Sequence, residues 1–162
     1  MPQEFRSAHE LSAAVGNSLG ASDWLEVDQQ RIDRFADATD DHQWIHVDAA
    51  RAAEGPFAST IAHGYLTLSL VNAVLPQLIA VPSAVLAIHR GCNKVRFPAP
   101  VPAGSRIRAV GELAGVRPVE AADGLGDGVD VIVRVTFEIE GHAKPACVAE
   151  TVSRFLFAPK VP

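Results

Sequence analysis

The stretch GYLTLSLVNAVLPQLI, residues 64–79, decides the fold. Apolar side chains cover nearly every face of a helix drawn through it, so we predict a helix from Tyr65 to about Ile79 that lies inside the protein. Gly64 is expected to open this helix. Pro76 has no backbone N–H, so the helix should kink or loosen there. A helix with so little polar surface requires other elements to pack around it.

The second half of the chain supplies those elements as strands. Apolar and polar residues alternate clearly over residues 129–140 and more weakly over 105–114, and a third long strand is predicted at 146–157. In residues 84–97 the apolar phase slips around Gly91, which predicts a β-bulge. Four long strands in a meander beside an apolar helix predict an α+β fold, an antiparallel sheet wrapped around a long central helix.

The first half of the chain and the turns complete this outline. Residues 8–15 predict a short helix, and Asp28 is the expected N-cap of a second helix over residues 29–39. The Gly- and Asp-rich residues 117–128 predict a flexible hairpin loop. Gly141-His142 predicts a tight turn between the last two strands.

Composition limits the number of domains and the kinds of partner. A chain of 162 residues with 48% hydrophobic and 20% charged residues fits one domain over residues 1–162. The net charge of -5 and the scattered basic residues argue against nucleic acid as a partner. No apolar run is long enough for a leader or a membrane span, so we expect a cytoplasmic protein with no membrane partner. Cys92 and Cys147 lack disulfide or zinc spacing, and both are expected to be buried.

The polar segment DDHQWIH, residues 40–46, is the first candidate site. Asp41 and His46 leave a helix into an irregular turn, where a carboxylate and an imidazole can together handle the protons of one water. His42 and His46 could instead bind a metal with Asp41 if the segment were helical. The third interpretation is an ordinary solvated helix end. These alternatives stay open on spacing alone.

The start of the apolar helix is the second candidate site. Backbone N–H groups in a first helical turn have no intrahelical acceptor, so the amide of Gly64 could stabilise an oxyanion. His63 is as well explained by capping the helix. Lys94 and Arg96 could attract an anionic group such as a nucleotide phosphate, although a solvated strand face is the commoner explanation of basic residues there.

Three motifs together resemble the MaoC-like dehydratase family, the (R)-specific enoyl-CoA hydratases or hydratase 2. They are FADATDDHQWIH (35–46), IAHGY (61–65) and NKVRFPAPV (93–101), and the likeness spans nearly the whole chain. It is nearest to the short mycobacterial-type hydratases with a single hotdog domain. The resemblance implies the hotdog fold, and Asp40 stands where the family usually has glycine. If the backbone there needs a positive φ, aspartate tolerates it better than most residues.

The resemblance also implies the chemistry and the residues that perform it. Asp41 and His46 take the catalytic positions, and the Gly64 amide takes the oxyanion hole. The reaction is reversible syn addition of water to a trans-2-enoyl-CoA, giving an (R)-3-hydroxyacyl-CoA in fatty-acid metabolism. Coenzyme A is part of the substrate, so no cofactor and no metal are expected, and the partners are an acyl-CoA thioester and a second copy in a homodimer. We assign to substrate binding Gln43, Trp44, His63, Tyr65, Ser69, Asn72, Lys94 and Arg96.

Two other functions fit a hotdog domain. A thioesterase would place an acidic residue on or near the central helix, and residues 65–79 contain no Asp or Glu. A non-catalytic acyl-CoA-binding module or partner subunit would be favoured if Asp41 or His46 were missing, and both are present.

Overall fold

The structure, a computed structural model, describes residues 1–120 and 127–158. Helices and short strands come first and four long strands follow. The helices are α1 Ala8–Ala13, α2 Gln29–Thr39, α3 Trp44–Val47, α4 Ala49–Ala53, α5 Gly64–Ser69 and α6 Val71–Leu78. The strands are β1 Gln3–Glu4, β2 Ser18–Ala21, β3 Leu25–Val27, β4 Ile79–Ala80, β5 Ala84–Arg96, β6 Ser105–Val119, β7 Gly128–Ile139 and β8 Cys147–Phe157.

The main sheet is antiparallel, as predicted, but its strand order is not a simple meander. The order is β2-β6-β7-β8-β5, and β3 also pairs with β6. Strands β6, β7 and β8 follow one another, whereas β5 precedes β6 in the chain and lies at the far edge beside β8. The prediction failed here because alternation of side chains reveals a strand and its buried face but not its neighbours.

The apolar helix is shorter and less buried than predicted. It divides into α5 and α6 at Leu70, whose carbonyl accepts hydrogen bonds from both Ala73 and Val74, at 3.0 and 3.3 Å. Pro76 lies inside α6 and does not end it. The sheet covers one side of the helix, and the exposed side carries Tyr65, Ser69, Asn72, Ala73 and Pro76. The prediction of burial all round was therefore wrong for a single chain.

The core lies between this helix and the inner face of the sheet. The odd-numbered residues of β7, from Val129 to Ile139, are buried, which confirms the predicted face. Gly111 of β6 permits close packing, because a Cβ there would lie 2.9 Å from Cδ1 of Leu78 on α6. The predicted bulge at Gly91 is confirmed by a register shift between β5 and β8 and by a φ of 156°.

Other predictions about local structure had mixed outcomes. The N-cap Asp28 is confirmed, since its carboxylate accepts the Arg31 N–H at 2.8 Å. The Gly141-His142 turn is confirmed by a hydrogen bond from His142 N to Ile139 O. The predicted loop at 117–128 was too long, because β6 continues to Val119, and residues 121–126 of that loop lie outside the described residues.

The expectations about the cysteines, membrane-spanning helices and the number of domains had different outcomes. Cys147 is buried as expected, but Cys92 is exposed because its strand lies at the sheet edge. Within residues 1–120 and 127–158, no helix has the length and apolar character needed to cross a bilayer. The single domain over residues 1–162 stays a prediction.

Candidate active site

The site begins where α2 ends. Asp40 is the C-cap of α2 and adopts the left-handed conformation, with φ 57° and ψ 22°. The backbone at the family's usual glycine position therefore has a positive φ, the case that the sequence analysis considered. The left-handed residue stops the helix and turns the chain, so Asp41 lies in an irregular segment and α3 then carries His46.

His46 is buried and its tautomer follows from its partner. The side chain is 6% exposed, and Nδ1 lies 2.6 Å from the carbonyl oxygen of Ile61. A carbonyl only accepts hydrogen bonds, so Nδ1 carries the proton and Nε2 keeps a lone pair. Burial lowers the pKa of His46 below its usual value, and the nearby His63 lowers the pKa further, against the hydrogen bond to Ile61 and the charge of Asp41. His46 is therefore a neutral base at neutral pH.

A second histidine, His63, joins the two predicted catalytic residues. It is 3% exposed, and its Nε2 lies 2.9 Å from the backbone oxygen of Asp41 and 3.9 Å from carboxylate oxygen Oδ2. Its ring stacks on that of His46, with centroids 3.7 Å apart and an interplanar angle of 23°. The ring of Phe35 covers another side at 5.1 Å. His63 thus connects the backbone at Asp41 with the imidazole of His46.

Asp41 presents a carboxylate to the same small space. Its side chain is 52% exposed, and one side-chain nitrogen or oxygen from each of Asp41, His46 and His63 lies within 4.8 Å of the other two. Two acceptors can share one water at about this separation, because each O–H···acceptor distance is about 2.8 Å. The predicted convergence of Asp41 and His46 is therefore present.

A supporting network behind His46 was missed by the sequence analysis. Gln29 Nε2 donates to the backbone oxygen of His46 at 2.8 Å and to Asp33 Oδ1 at 2.7 Å. The hydroxyl of Thr60 donates to Gln29 Oε1. His46 and Thr60 are distant from Gln29 in sequence, so no spacing pattern could have indicated those two contacts.

Gly64 lies at the mouth of a pocket beside His46. It is the first residue of α5, so its N–H is one of those that a helix leaves without an intrahelical acceptor. A Cβ at this position would lie 3.1 Å from the ring of Phe97, so glycine allows the ring to cover the start of the helix. The pocket has a volume of about 320 Å³ and is mainly apolar. Its lining comprises His46, Phe57, Ile61, Ala62, Gly64, Thr67, Phe97, Ala99, Pro100, Val101 and Ala146.

The metal hypothesis that used His42 does not match the positions observed. His42 is half-exposed, and its Nε2 lies 2.9 Å from Asp37 on α2, away from the residues that converge with Asp41. That contact is the largest cause of the raised pKa of His42. The expectation that the protein needs no metal stays a prediction.

Gln43 and Trp44 lie at the start of α3 rather than on the pocket wall. Gln43 is the exposed N-cap of that helix. Trp44 is partly buried, with the guanidinium of Arg51 4.4 Å from its ring centroid, and its ring leaves no room for a side chain at Gly55. Trp44 therefore fixes α3 against α4 in the single chain.

Tyr65, Ser69 and Asn72 all lie on the exposed side of the helix pair. Tyr65 is 72% exposed, with its ring centroid 6.1 Å from that of Phe97. The hydroxyl of Ser69 donates to the backbone oxygen of Tyr65 at 2.7 Å, which is the backbone bonding that the sequence also suggested. None of the three residues lines the pocket in the single chain, and their role in substrate binding stays a prediction.

Lys94 and Arg96 lie on the edge strand β5. Lys94 is 79% exposed and its Nζ lies 3.6 Å from Glu150, while Arg96 donates to the backbone oxygen of Val95 at 2.7 Å. Both side chains lie outside the pocket beside His46. Attraction of a phosphate by these residues therefore stays a prediction.

Comparisons with known proteins agree with one another. The family described as MaoC like domain matches residues 10–134. The 3-hydroxyacyl-thioester dehydratase Z of Mycobacterium tuberculosis is 52% identical over 153 residues, which cover 94% of this chain and 97% of that protein. Nodulation protein N of Rhizobium leguminosarum bv. viciae is 41% identical over 161 residues, covering 93% and 95%. The solved structure of an (R)-hydratase from A. caviae involved in PHA biosynthesis has a TM-score of 0.63 at 24% identity, covering 86% of this chain and 94% of that one.

Proposed function

Because this chain belongs to the MaoC-like dehydratase family and has its hotdog fold, we propose that it is an (R)-specific enoyl-CoA hydratase that adds water reversibly to trans-2-enoyl-CoA. Hydro-lyase activity follows from the family and from the relative named 3-hydroxyacyl-thioester dehydratase Z. The observation that carries the proposal is the convergence of Asp41 with neutral His46, which lines the same mainly apolar pocket as Gly64.

The pair Asp41 and His46 handles the protons of the water. The lone pair on His46 Nε2 and the Asp41 carboxylate accept hydrogen bonds from the two O–H groups of one water molecule. The water oxygen bonds to Cβ of the enoyl group while one of its protons moves to the pair. The pair then returns one proton to Cα, so that the elements of water are added and the residues end as they began. Delivery of both groups from one water site makes the addition syn.

The Gly64 amide handles the charge that forms on the thioester oxygen. Addition at Cβ moves an electron pair through Cα to this oxygen, giving an enolate-like species. An N–H at the start of α5 stabilises that oxygen through a hydrogen bond and the helix dipole. Removing one such donor from an oxyanion hole costs about 100- to 1000-fold in kcat.

The acyl chain of the substrate fits the pocket beside these groups. Walls formed by Phe57, Phe97, Ala99 and Val101 are apolar, and the volume of about 320 Å³ suits a short or medium acyl chain. Coenzyme A is the proposed thioester carrier, and it enters as part of the substrate rather than as a cofactor. The fatty-acid role and the cytoplasmic location predicted from the sequence are kept as part of this proposal.

We further propose that the protein is a homodimer joined through β5. This strand is at the edge of the sheet and is exposed along nearly all of its 13 residues. Exposed apolar side chains at Val85, Leu86 and Ile88 lie on it, and Phe97 follows its end. An uncovered edge with apolar side chains favours pairing with a second copy. Such pairing extends the two sheets into one.

The test is loss of enoyl absorbance on mixing the protein with trans-2-enoyl-CoA substrates of short, medium and long chain length. We expect rapid loss with the wild type, and near-complete loss of activity in Asp41→Asn and His46→Gln variants that keep the wild-type circular dichroism. His142→Gln is the control, because His142 lies in an exposed turn and does not line the pocket. No turnover of any chain length, together with specific acyl-CoA binding, would replace the proposal with a non-catalytic acyl-CoA-binding module.

A further inference from the structure

We propose that His63 is a positioning residue of this site, which holds the backbone of Asp41 with its Nε2–H and fixes the ring plane of His46 by stacking. This inference rests on the proposed hydratase function, in which Asp41 and His46 must face one water. It assigns to His63 a role different from the substrate contact predicted from the sequence.

The hydrogen bond fixes which nitrogen of His63 carries the proton. Nε2 lies 2.9 Å from the backbone oxygen of Asp41, and a carbonyl only accepts, so the proton is on Nε2. The other nitrogen, Nδ1, is buried and makes no hydrogen bond among the residues that the structure describes. His63 therefore holds Asp41 through the proton on Nε2.

The backbone bond restricts a segment that is otherwise weakly held. Asp41 follows the left-handed residue Asp40, and its carboxylate accepts a long hydrogen bond of 3.4 Å from the Gln43 N–H and lies 3.9 Å from His63 Nε2. Its side chain is half-exposed, whereas His63 is 97% buried and anchored at the start of α5. The bond from His63 thus ties the turn at Asp41 to the helix that also carries the Gly64 amide.

Stacking restricts His46 in the same way. The bond to Ile61 fixes Nδ1 but leaves the ring free to swing about that contact. The His63 ring, 3.7 Å away and nearly parallel, blocks this movement on one side. It also keeps water from that face of His46. Asp41 and His63 are the titratable groups whose charges act on His46 in the described part of the chain.

Two substitutions separate the two functions of His63. His63→Phe keeps an aromatic face for His46 but has no donor for Asp41. His63→Gln keeps an amide donor of similar reach but removes the ring. Thr151→Val is the matched control, because Thr151 is 1% exposed and lies in the sheet outside the pocket.

We expect His63→Phe to lower kcat about 10- to 100-fold with little change in KM, since a displacement of about 1 Å costs up to about 100-fold. His63→Gln should lose less kcat, but the acid limb of its kcat/KM profile should move to higher pH, because His46 becomes more hydrated. Combining His63→Phe with Asp41→Asn should cost little more than Asp41→Asn alone. Wild-type kcat and an unchanged pH profile in both His63 variants would overturn the proposal, as would fully additive losses.

A measurement without substrate separates this proposal from the proposed function. Side-chain ¹⁵N–¹H NMR spectra of the wild type should show His63 protonated at Nε2 and His46 protonated at Nδ1, with His46 titrating below its ordinary pKa. Detection of the Nδ1–H tautomer at His63 would overturn the inference even if the enzyme is active and the variants fail to fold. If these tautomers are found but no enoyl thioester is hydrated, the proposed function fails while the positioning contacts stand.

Discussion

Replacing Asp40 tests how the chain leaves α2 for the turn that carries Asp41. This residue has φ 57° and ψ 22° at the helix end. The left-handed conformation costs an ordinary L-residue about 1–2 kcal/mol, glycine avoids that cost, and asparagine and aspartate visit the region more readily than alanine. Glycine loses about 0.5–1 kcal/mol of this advantage over alanine, because it has greater conformational freedom in the unfolded chain. Asp40→Gly should therefore be about 0.5–1 kcal/mol more stable than Asp40→Ala.

The charge of Asp40 makes a second contribution to the stability of the protein, which can be measured separately. The Asp40 carboxylate lies at the negative end of the α2 dipole, where an anion is unfavourable by about 0.3–1 kcal/mol. Asp40→Asn removes the charge and keeps the tolerance for positive φ, so it should exceed the wild type in stability at low salt and lose this gain at high salt. The comparison is best repeated at rising pH, because His42, whose pKa is raised chiefly by Asp37 and partly by Asp40, loses its charge as the pH rises.

Thermal unfolding followed by calorimetry measures these differences. For a chain of 162 residues, 1 kcal/mol corresponds to about 2–4 °C in Tm, so the glycine and alanine variants should differ by about 1–4 °C. The glycine variant should keep wild-type kcat, whereas the alanine variant should lose some because Asp41 follows directly. An alanine variant as stable as the glycine variant would refute the reasoning, since it would mean that position 40 imposes no left-handed requirement.

Three further predictions concern the base, the pocket and the assembly. Because the pKa of His46 is lowered by folding, neutral His46 contributes stability that is complete above about pH 6.5 and is lost as the pH falls toward the folded-state pKa. The difference in urea unfolding between wild type and His46→Gln, measured across this pH range, isolates the effect. For the same reason, kcat/KM should keep its plateau below about pH 6.5. Ala99→Leu fills part of the pocket, so kcat/KM for the longest accepted enoyl chain should fall about 10- to 200-fold more than kcat/KM for the shortest. The control Ala143→Leu, in an exposed turn, should leave the ratio of these two kcat/KM values unchanged. Ile88→Lys on the exposed edge strand should shift the mass measured by light scattering from dimer to monomer, whereas Val15→Lys, which also replaces an exposed apolar residue, should not.

Local structure was predicted well where the interactions that produce it lie within a short segment. The α2 helix begins after Asp28 and ends at Thr39 as predicted, because a capping carboxylate and apolar spacing act within a few residues. The bulge at Gly91 was predicted because the apolar positions change phase there, and a strand with one buried face needs an extra residue to keep them on that face. The pair Asp41 and His46 was found because five residues across a helix end bring both groups into one turn.

The arrangement of these segments was predicted less well. Periodicity gave no information on strand order, so the position of β5 beyond β8 was missed. Burial of the helix was also overestimated, because an apolar helix sequence does not show which side of the helix packs against the rest of its own chain. The exposed apolar side chains of β5 are the ones that the proposed homodimer would cover.

The amino-acid sequence by itself indicated α2, the long strands, the pair Asp41 and His46 and the helix-start glycine, because each depends on interactions between near neighbours in the chain. Only the tertiary structure decided the state of the pair. The proton on Nδ1 of His46 is set by Ile61, 15 residues away, and the backbone of Asp41 is held by His63, 22 residues away. Hydrogen bonds and desolvation depend on distances in space, so the protonation and orientation of these groups exist only once the sheet and helices have packed together.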